Sequence, residues 1–451
     1  MRYVLNAVYL ILVLVFSPWL LYAVLFQGKY RQGWAQKGWG QVPLRTQPGP
    51  CVWLHAVSVG EVNLLEPLLK RIAQQHPDWQ CVISTTTRTG YELACRKYAN
   101  YTVFYCPLDF SWAVTRALQR IHPDLLVLAE LELWPNLIRE AQRRGTRVAI
   151  VNGRLSEKSF RGYSRVVRWI RPLLGQIDWI AAQTDDYAIR FRTLGAPAER
   201  IAVTGSMKFD GASSTRDNPR TRSLAAWAAI EPDDVVFLAG STQHPEEQLA
   251  LQTYRQLQAC CPRLRLILAP RHAERFEEVA QLLAQSGLPW TRRSQLPPGQ
   301  RAERVLLVDT IGELGAWWGV AHIGFVGGSL GKRGGQNMIE PAAYGTAVSF
   351  GPNTRNFRDV VSLLLQAEAA QVVHSGTELT AFVESCLRDP ESARQMGTRA
   401  QQLVRNQVGA ADQTLLGLEK LMADRRTTGR IAAPHHLAIF RQQHAQAAPK
   451  P

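Results

Sequence analysis

Covalent and metal staples have little to work with in this 451-residue chain. Its seven cysteines (51, 81, 95, 106, 260, 261 and 386) are an odd, scattered set with no CxxC pair, which offers neither a disulfide framework nor a structural zinc site. Acidic residues are in short supply: Asp+Glu number 37 against 52 Lys+Arg, a formal net charge of +15. Such a deficit points to acidic partners, whether nucleic acid, anionic lipid or phosphorylated substrates. No nucleic-acid-binding module is recognisable, so charge alone speaks for that partner, and none is expected. There is no repeat at a solenoid period, no low-complexity tract, and neither a Walker A sequence nor a GxGxxG fingerprint.

Charge is also missing from one long stretch, Tyr3 to Phe26, which runs twenty-four residues without Asp, Glu, Lys, Arg or His. A bilayer core needs about 20 apolar residues. The far end is bulky, Leu25-Phe26-Gln27-Gly28, unlike the small residues of a signal-peptide cleavage site. Residues 1–28 are therefore expected to be an uncleaved membrane anchor. Lys29, Arg31, Lys37 and Arg45 follow it while only Arg2 and the amino terminus precede it, so the rest of the chain is expected on the cytoplasmic side of the inner membrane. Trp19, Tyr22, Trp34 and Trp39 suit an interfacial belt. Asn6 and Pro18 leave room for a helix lying in one leaflet instead.

What is present in quantity is apolar material, 46% of residues, enough for two domains. Val- and Ile-rich runs alternate with amphipathic segments. The first series of strand candidates is 51–57, 81–85, 101–106, 124–129, 147–152, 179–183 and 200–205, with helical stretches such as 63–76, 134–144 and 185–194 between them. The polar stretch Asp210 to Ser223 reads as an interdomain linker. A second series follows at 234–240, 264–270, 304–309, 321–327 and 346–351. Continuous apolar strands alternating with helices predict buried parallel sheets covered on both faces. The expectation is an α/β chain of two doubly wound, Rossmann-like domains, 29–212 and 213–425, with ligands at the carboxyl ends of the strands. A polar tail, 426–451, closes the chain.

The chemistry-bearing stretches fall at strand ends. Ser58-Val-Gly-Glu61 has the spacing of a capping box, and equally places a carboxylate at a helix start where it can act as a base. Gly240, Ser241 and Thr242 open a helix as a phosphate-binding turn would, or as a plain N-cap. Glycines at 327, 328, 331, 334 and 335 surround Lys332 and Arg333, a cationic loop suited to phosphate. Asn337 and Glu340 repeat the capping spacing and could accept from ribose hydroxyls. Arg271 and His272 end a strand as either a surface pair or a site pair. Glu130 and Glu132, by alternation, point to one side of the chain and could bind hydroxyls or merely cap. Arg88 and Arg154 lie in further strand-end loops.

The stretches HAVSVGEV, LELWPNLI, NGRLS, GSMKFD, LAPRHAERF, DTIGELGAWW and GGQNMIEPAAYG, in that order, together resemble the Kdo transferases, which attach 3-deoxy-D-manno-oct-2-ulosonic acid (Kdo) from CMP-Kdo to the lipid A precursor. The resemblance runs from the anchor to about residue 410. It implies a GT-B glycosyltransferase with an amino-terminal domain for the lipid acceptor, a carboxyl-terminal domain for the CMP-sugar, and no cofactor or metal. It gives Glu61 the role of catalytic base, sets Gly240, Ser241, Thr242, Arg271, His272, Asn337 and Glu340 around the CMP moiety, and brings Lys208 near the cleft. Two positions depart from it: Gln243 and Gln336 stand where the family usually has histidine. A glutamine donates a hydrogen bond but carries no proton's charge, which shifts the expected phosphate stabilisation towards Lys332, Arg333 or backbone dipoles, with His244 as a stand-in if the turn shifts by one residue. Another GT-B enzyme, such as a nucleotide-sugar epimerase, and a catalytically impaired membrane-tethered binding protein are the alternatives.

Overall fold

The structure is a computed structural model that describes residues 5–11, 14, 15, 17, 32–212, 215–297 and 300–428. Most of the expected anchor, with Lys29 and Arg31, and most of the expected tail lie outside these residues. Among the described residues no helix is long and apolar enough to cross a membrane. Two residues of the amino-terminal stretch are tied to the domain that follows. The Asn6 amide exchanges hydrogen bonds with Ser111 (2.7 and 3.1 Å), and the Tyr9 hydroxyl donates to Asp109 at 3.1 Å.

The chain divides into two compact units, one made of residues up to Asp210 together with those from Gly409 onwards, the other of Gly211–Val408. In the first unit a seven-stranded sheet is built from β1 (Cys51–His55), β2 (Gln80–Thr85), β3 (Thr102–Tyr105), β4 (Leu125–Ala129), β5 (Arg147–Gly153), β6 (Trp179–Ala182) and β7 (Ile201–Val203), in the order β3-β2-β1-β4-β5-β6-β7. Every pairing is parallel. Strand alternation sends Cys51 and Trp53 into one buried cluster and Val52 and Leu54 into another on the opposite face. That is why β1 and β4 are buried at every position, and apolar at all but His55, rather than at every second one.

The second unit repeats the plan with β8 (Val235–Thr242), β9 (Leu264–Pro270), β10 (Trp290–Arg292), β11 (Val305–Leu307), β12 (Ile323–Val326), β13 (Ala347–Phe350) and β14 (Ala370–Val372), in the order β10-β11-β9-β8-β12-β13-β14. These strands too are all parallel. Five strands are expected from the sequence and seven are found. The additional pair, β10 and β14, are three-residue edge strands, half-covered and therefore without a continuous apolar run.

Two boundaries differ from expectation. The linker stretch 210–223 is largely structural: Arg216 donates to the carbonyls of Gly319, Ala321, Tyr344 and Gly345, and the Asn218 side chain caps the helix Pro219–Trp227. The division also leaves the second unit shorter than 213–425. The last helix, Ala410–Thr428, belongs to the first unit, where Ala411, Leu415, Leu418 and Met422 join Val62, Leu65 and Leu69 in one core cluster. Arg71 pairs with Asp412 and His76 with Glu419. The Asp210 carboxylate accepts from the backbone N–H groups of Gly409 and Ala411, so the points where the chain leaves and re-enters this unit are fastened together.

Candidate active site

In a doubly wound sheet the connections part to opposite sides where the strand order reverses, opening a ligand crevice at the carboxyl ends there. In the first sheet that point lies between β1 and β4. Glu61 follows β1. Glu130 and Glu132 follow β4.

Ser58 caps the helix Val59–Gln75 by accepting from the Glu61 N–H. The helix begins four residues earlier than the apolar pattern suggests, which puts Glu61 in its first turn. The glutamate's two oxygens are held separately: Oε2 accepts from the Val57 N–H and Oε1 from the Ser58 hydroxyl, both at 2.8 Å. Thr85 and Thr87 fix the Val57 carbonyl from the next strand end. Capping and presentation of the carboxylate are thus one arrangement. Burial pushes the Glu61 carboxyl above its usual range, the hydrogen bonds partly oppose this, and the charge of Glu130 adds to it.

Glu132 is pushed further, to about 7, first by burial and then by the charge of Glu61. Its Oε2 accepts from the Trp134 indole N–H at 3.1 Å. Trp134 in turn meets the His55 ring nearly edge-on, with centroids 6.0 Å apart. His55 is fully buried and held down at about 4 by that burial, so it is neutral near pH 7. Its Nδ1 bonds Ser84 Oγ at 2.8 Å, and its Nε2 has no partner among the described residues. Glu130 has a left-handed φ of 56°, and its carboxylate pairs with Lys208 Nζ at 3.0 Å. Glu61, Glu130, Glu132 and Lys208 therefore form one charged cluster in this unit, as their strand-end positions suggest. Asn152 and His55 also border it, and sequence reasoning does not single them out.

In the second sheet the order reverses at β8, between β9 and β12. The register of β8 on β9 shifts between Gly240 and Thr242, so Ser241, at φ 55°, forms a bulge that re-aims the strand end. Gly240 is demanded by packing: a Cβ there would sit 2.4 Å from the Trp318 ring. The glycine-rich loop after β12 is drawn in close. A Cβ on Gly327 would lie 2.5 Å from Thr242 Cα, and the Glu246 carboxylate accepts from the N–H groups of Gly328, Ser329 and Leu330 and from that of Gln243. Four backbone N–H groups of this turn and loop are thus taken by the chain's own carboxylate. Glu246 lies outside the expected set because it reads as an ordinary first-turn acid. Its spacing of three from Gln243 is the only signal.

The two glutamines that depart from the family pattern come together: a Cβ placed on Gly328 would be 3.2 Å from Gln336 Nε2 and 3.7 Å from Gln243 Nε2. Gln243 Nε2 and Thr242 Oγ1 are buried and unpartnered among the described residues. His244 does not replace the missing imidazole; it is 73% exposed and turned towards Glu278. The Arg271 N–H bonds the Thr242 carbonyl at 3.1 Å; burial pushes the Glu340 carboxyl above its usual range, and the Asn337 hydrogen bond and the Arg271 charge partly oppose this. Asn337 donates to Glu340 at 2.9 Å and caps the Ile339 N–H. His272 is half-buried at the start of the short turn Ala273–Arg275. Lys332 and Arg333 are exposed in the loop, whose base closes by a Gly335 to Gly328 hydrogen bond. Among the described residues no hydrogen bond or ion pair draws their side chains to Asn337 or Glu340. No group of three or more His, Cys, Asp or Glu among the described residues is arranged to hold a metal ion.

Comparison with known proteins adds to this geometry. The family model described as 3-Deoxy-D-manno-octulosonic-acid transferase (kdotransferase) matches residues 30–211. The 3-deoxy-D-manno-octulosonic acid transferase of Haemophilus influenzae is 33% identical over 399 residues, covering 88% of this chain and 93% of the relative. That of Bordetella pertussis is 34% identical over 379 residues, covering 82% and 86%. Among solved structures, UDP-GlcNAc 2-epimerase from Neisseria meningitidis, bound to UDP-GlcNAc, aligns with 82% of this chain and 100% of its own at a TM-score of 0.54 and 13% identity. That likeness concerns the fold alone.

Proposed function

For this chain, which belongs to the 3-deoxy-D-manno-octulosonic acid transferase family and is thus a glycosyltransferase, we propose an inverting transfer of Kdo from CMP-Kdo to the lipid A precursor, lipid IVA, in lipopolysaccharide core biosynthesis. Glu61 takes the proton from a glucosamine primary hydroxyl as that oxygen attacks the anomeric C2 of the donor. The C2–O bond to phosphate breaks, its electron pair leaves with CMP, and no acid is needed to protonate so stable a leaving group. The observation that carries this reading is Glu61 itself: a carboxylate at the β1–β4 reversal, oriented through both oxygens yet raised by burial. Each oxygen keeps a further lone pair for an incoming hydroxyl. In this reading the first unit takes the acceptor and the second the CMP-sugar, through Ser241, Thr242, Arg271, His272, Asn337 and Glu340. Lys332 and Arg333, exposed at the loop surface, serve the donor's charge. No cofactor or metal is required. The net charge of +15 suits two anionic substrates and an anchored position at the cytoplasmic face of the inner membrane.

A second reading, a tethered protein that binds donor or lipid without turnover, is favoured by one observation: Gln243 and Gln336, not histidines, face Gly328. Transfer of labelled Kdo from CMP-Kdo to a tetraacylated precursor in detergent, wild type against Glu61→Gln, separates the two. The transferase reading expects wild-type transfer and a loss of at least about a hundredfold in the variant, with CMP binding retained. Donor binding without any wild-type transfer favours the second reading.

A further inference from the structure

Among the buried polar groups of the first unit, Asn152 stands apart. It lies at the carboxyl end of β5, is completely buried, and adopts a left-handed φ of 54°. The register of β4 on β5 runs to the pair Ala129–Val151, so Glu130 and Asn152 are the next residues on the two strands. The Glu130 N–H bonds the Val151 carbonyl at 2.9 Å. The orientation of the Asn152 carboxamide is fixed: Oδ1 accepts from the Met207 N–H at 3.0 Å, which leaves Nδ2 as the other arm. That nitrogen is buried and has no partner among the described residues.

A buried amide N–H left unpaired is unfavourable, and a bound group can relieve it. Glu130 beside it supplies the complementary function, since a carboxylate offers about four acceptor positions and Lys208 contacts one oxygen. A sugar hydroxyl is at once donor and acceptor. It can donate to Glu130 while accepting from Asn152, a pair of bonds that neither a phosphate nor an acyl carbonyl can make.

We propose that Asn152 and Glu130 form a subsite for a sugar hydroxyl of the acceptor, in which Asn152 Nδ2 donates to the hydroxyl oxygen and the hydroxyl proton goes to Glu130. The same Asn152 side chain, through Met207, sets the turn that presents Lys208 to Glu130. This rests on the reading in which the first unit takes the acceptor.

The test uses the full chain in detergent and titrates tetraacylated lipid A precursor and CMP-Kdo separately against wild type, Asn152→Asp and Asn152→Gly. Aspartate keeps an oxygen for the Met207 N–H and tolerates the left-handed backbone, but removes the N–H donors. Glycine accepts the same φ without adding charge beside Glu130. The expected result is a rise of about tenfold or more in acceptor Kd and KM for both variants, with donor Kd within about twofold of wild type. Acceptor Kd within about twofold of wild type in either folded variant overturns the subsite, as does a wild type that does not bind the acceptor at all. A wild type that binds acceptor but transfers nothing counts against the transferase mechanism alone, because the binding comparison still decides about Asn152.

Discussion

Lys208 holds the Glu130 carboxylate at 3.0 Å, whose charge in turn acts on a second carboxylate, Glu61. Glu130 is a cause of the upward push on Glu61. Removing the ammonium as Lys208→Met exposes the full charge of Glu130, so Glu61 rises further and is protonated over more of the working range. The acid limb of kcat/KM against pH is expected to move upward. A limb that stays in place, with reduced thermal stability, would assign Lys208 to folding alone.

The elevated Glu132 makes a stability prediction of definite sign. Its carboxyl titrates at about 7 in the folded chain against 4.5 when free of its surroundings, so between these values the folded state holds more protons than the unfolded one. Stability is therefore present in full below the lower value and falls as pH rises through the upper one. In Glu132→Gln the Tm–pH curve should flatten over this window, leaving the slope contributed by the other carboxyls that burial raises, among them Asp109, which titrates at about 6, and Glu61. Thermal melts from pH 4 to 8 check this.

Glu246 joins the glycine loop to the helix Glu246–Leu257 by accepting from N–H groups only. Glu246→Gln replaces one acceptor by an NH₂ that meets donors, and should destabilise the chain by about 2–4 kcal/mol. Since Gln243 and Gly328 are both among its partners, CMP affinity should fall too. A variant that melts like wild type would show that water can take over the carboxylate's contacts.

Leu418 is fully buried against the helix Val59–Gln75. Leu418→Ala should cost about 3 kcal/mol, and the loss should appear in the first unit. Hydrogen exchange would report faster opening in β1 and β4, whereas β8 and β12 keep their protection.

Strand placement was the most legible layer of the sequence. Each strand of the first sheet coincides with an apolar run, because a central parallel strand covered on both faces has no polar position to interrupt it. The edges β10 and β14 lack that cover and so lack the signal. The helix Ala410–Thr428 is readable as a helix, but an apolar stripe does not say which core it faces, and adjacency in sequence wrongly assigns it to the second unit. Glu61, Glu130 and Glu132 could be gathered from strand ends alone. The convergence of Gln243 and Gln336 on Gly328, the filling of the loop's N–H groups by Glu246, and the unpaired amide of Asn152 depend on distances between segments far apart in sequence.

The return of the chain to the first unit at Gly409 has a consequence for synthesis on the ribosome. The second unit, Gly211–Val408, is continuous and can complete its core as soon as its last residues emerge. The first unit emerges earlier, yet its core lacks Ala411, Leu415, Leu418 and Met422 until the whole of the second unit has been made. Domains commonly fold in the order in which they are made. Here the later one has all its parts first, while the acidic cluster waits on a sheet covered in part by a helix, Ala410–Thr428, that is made after it.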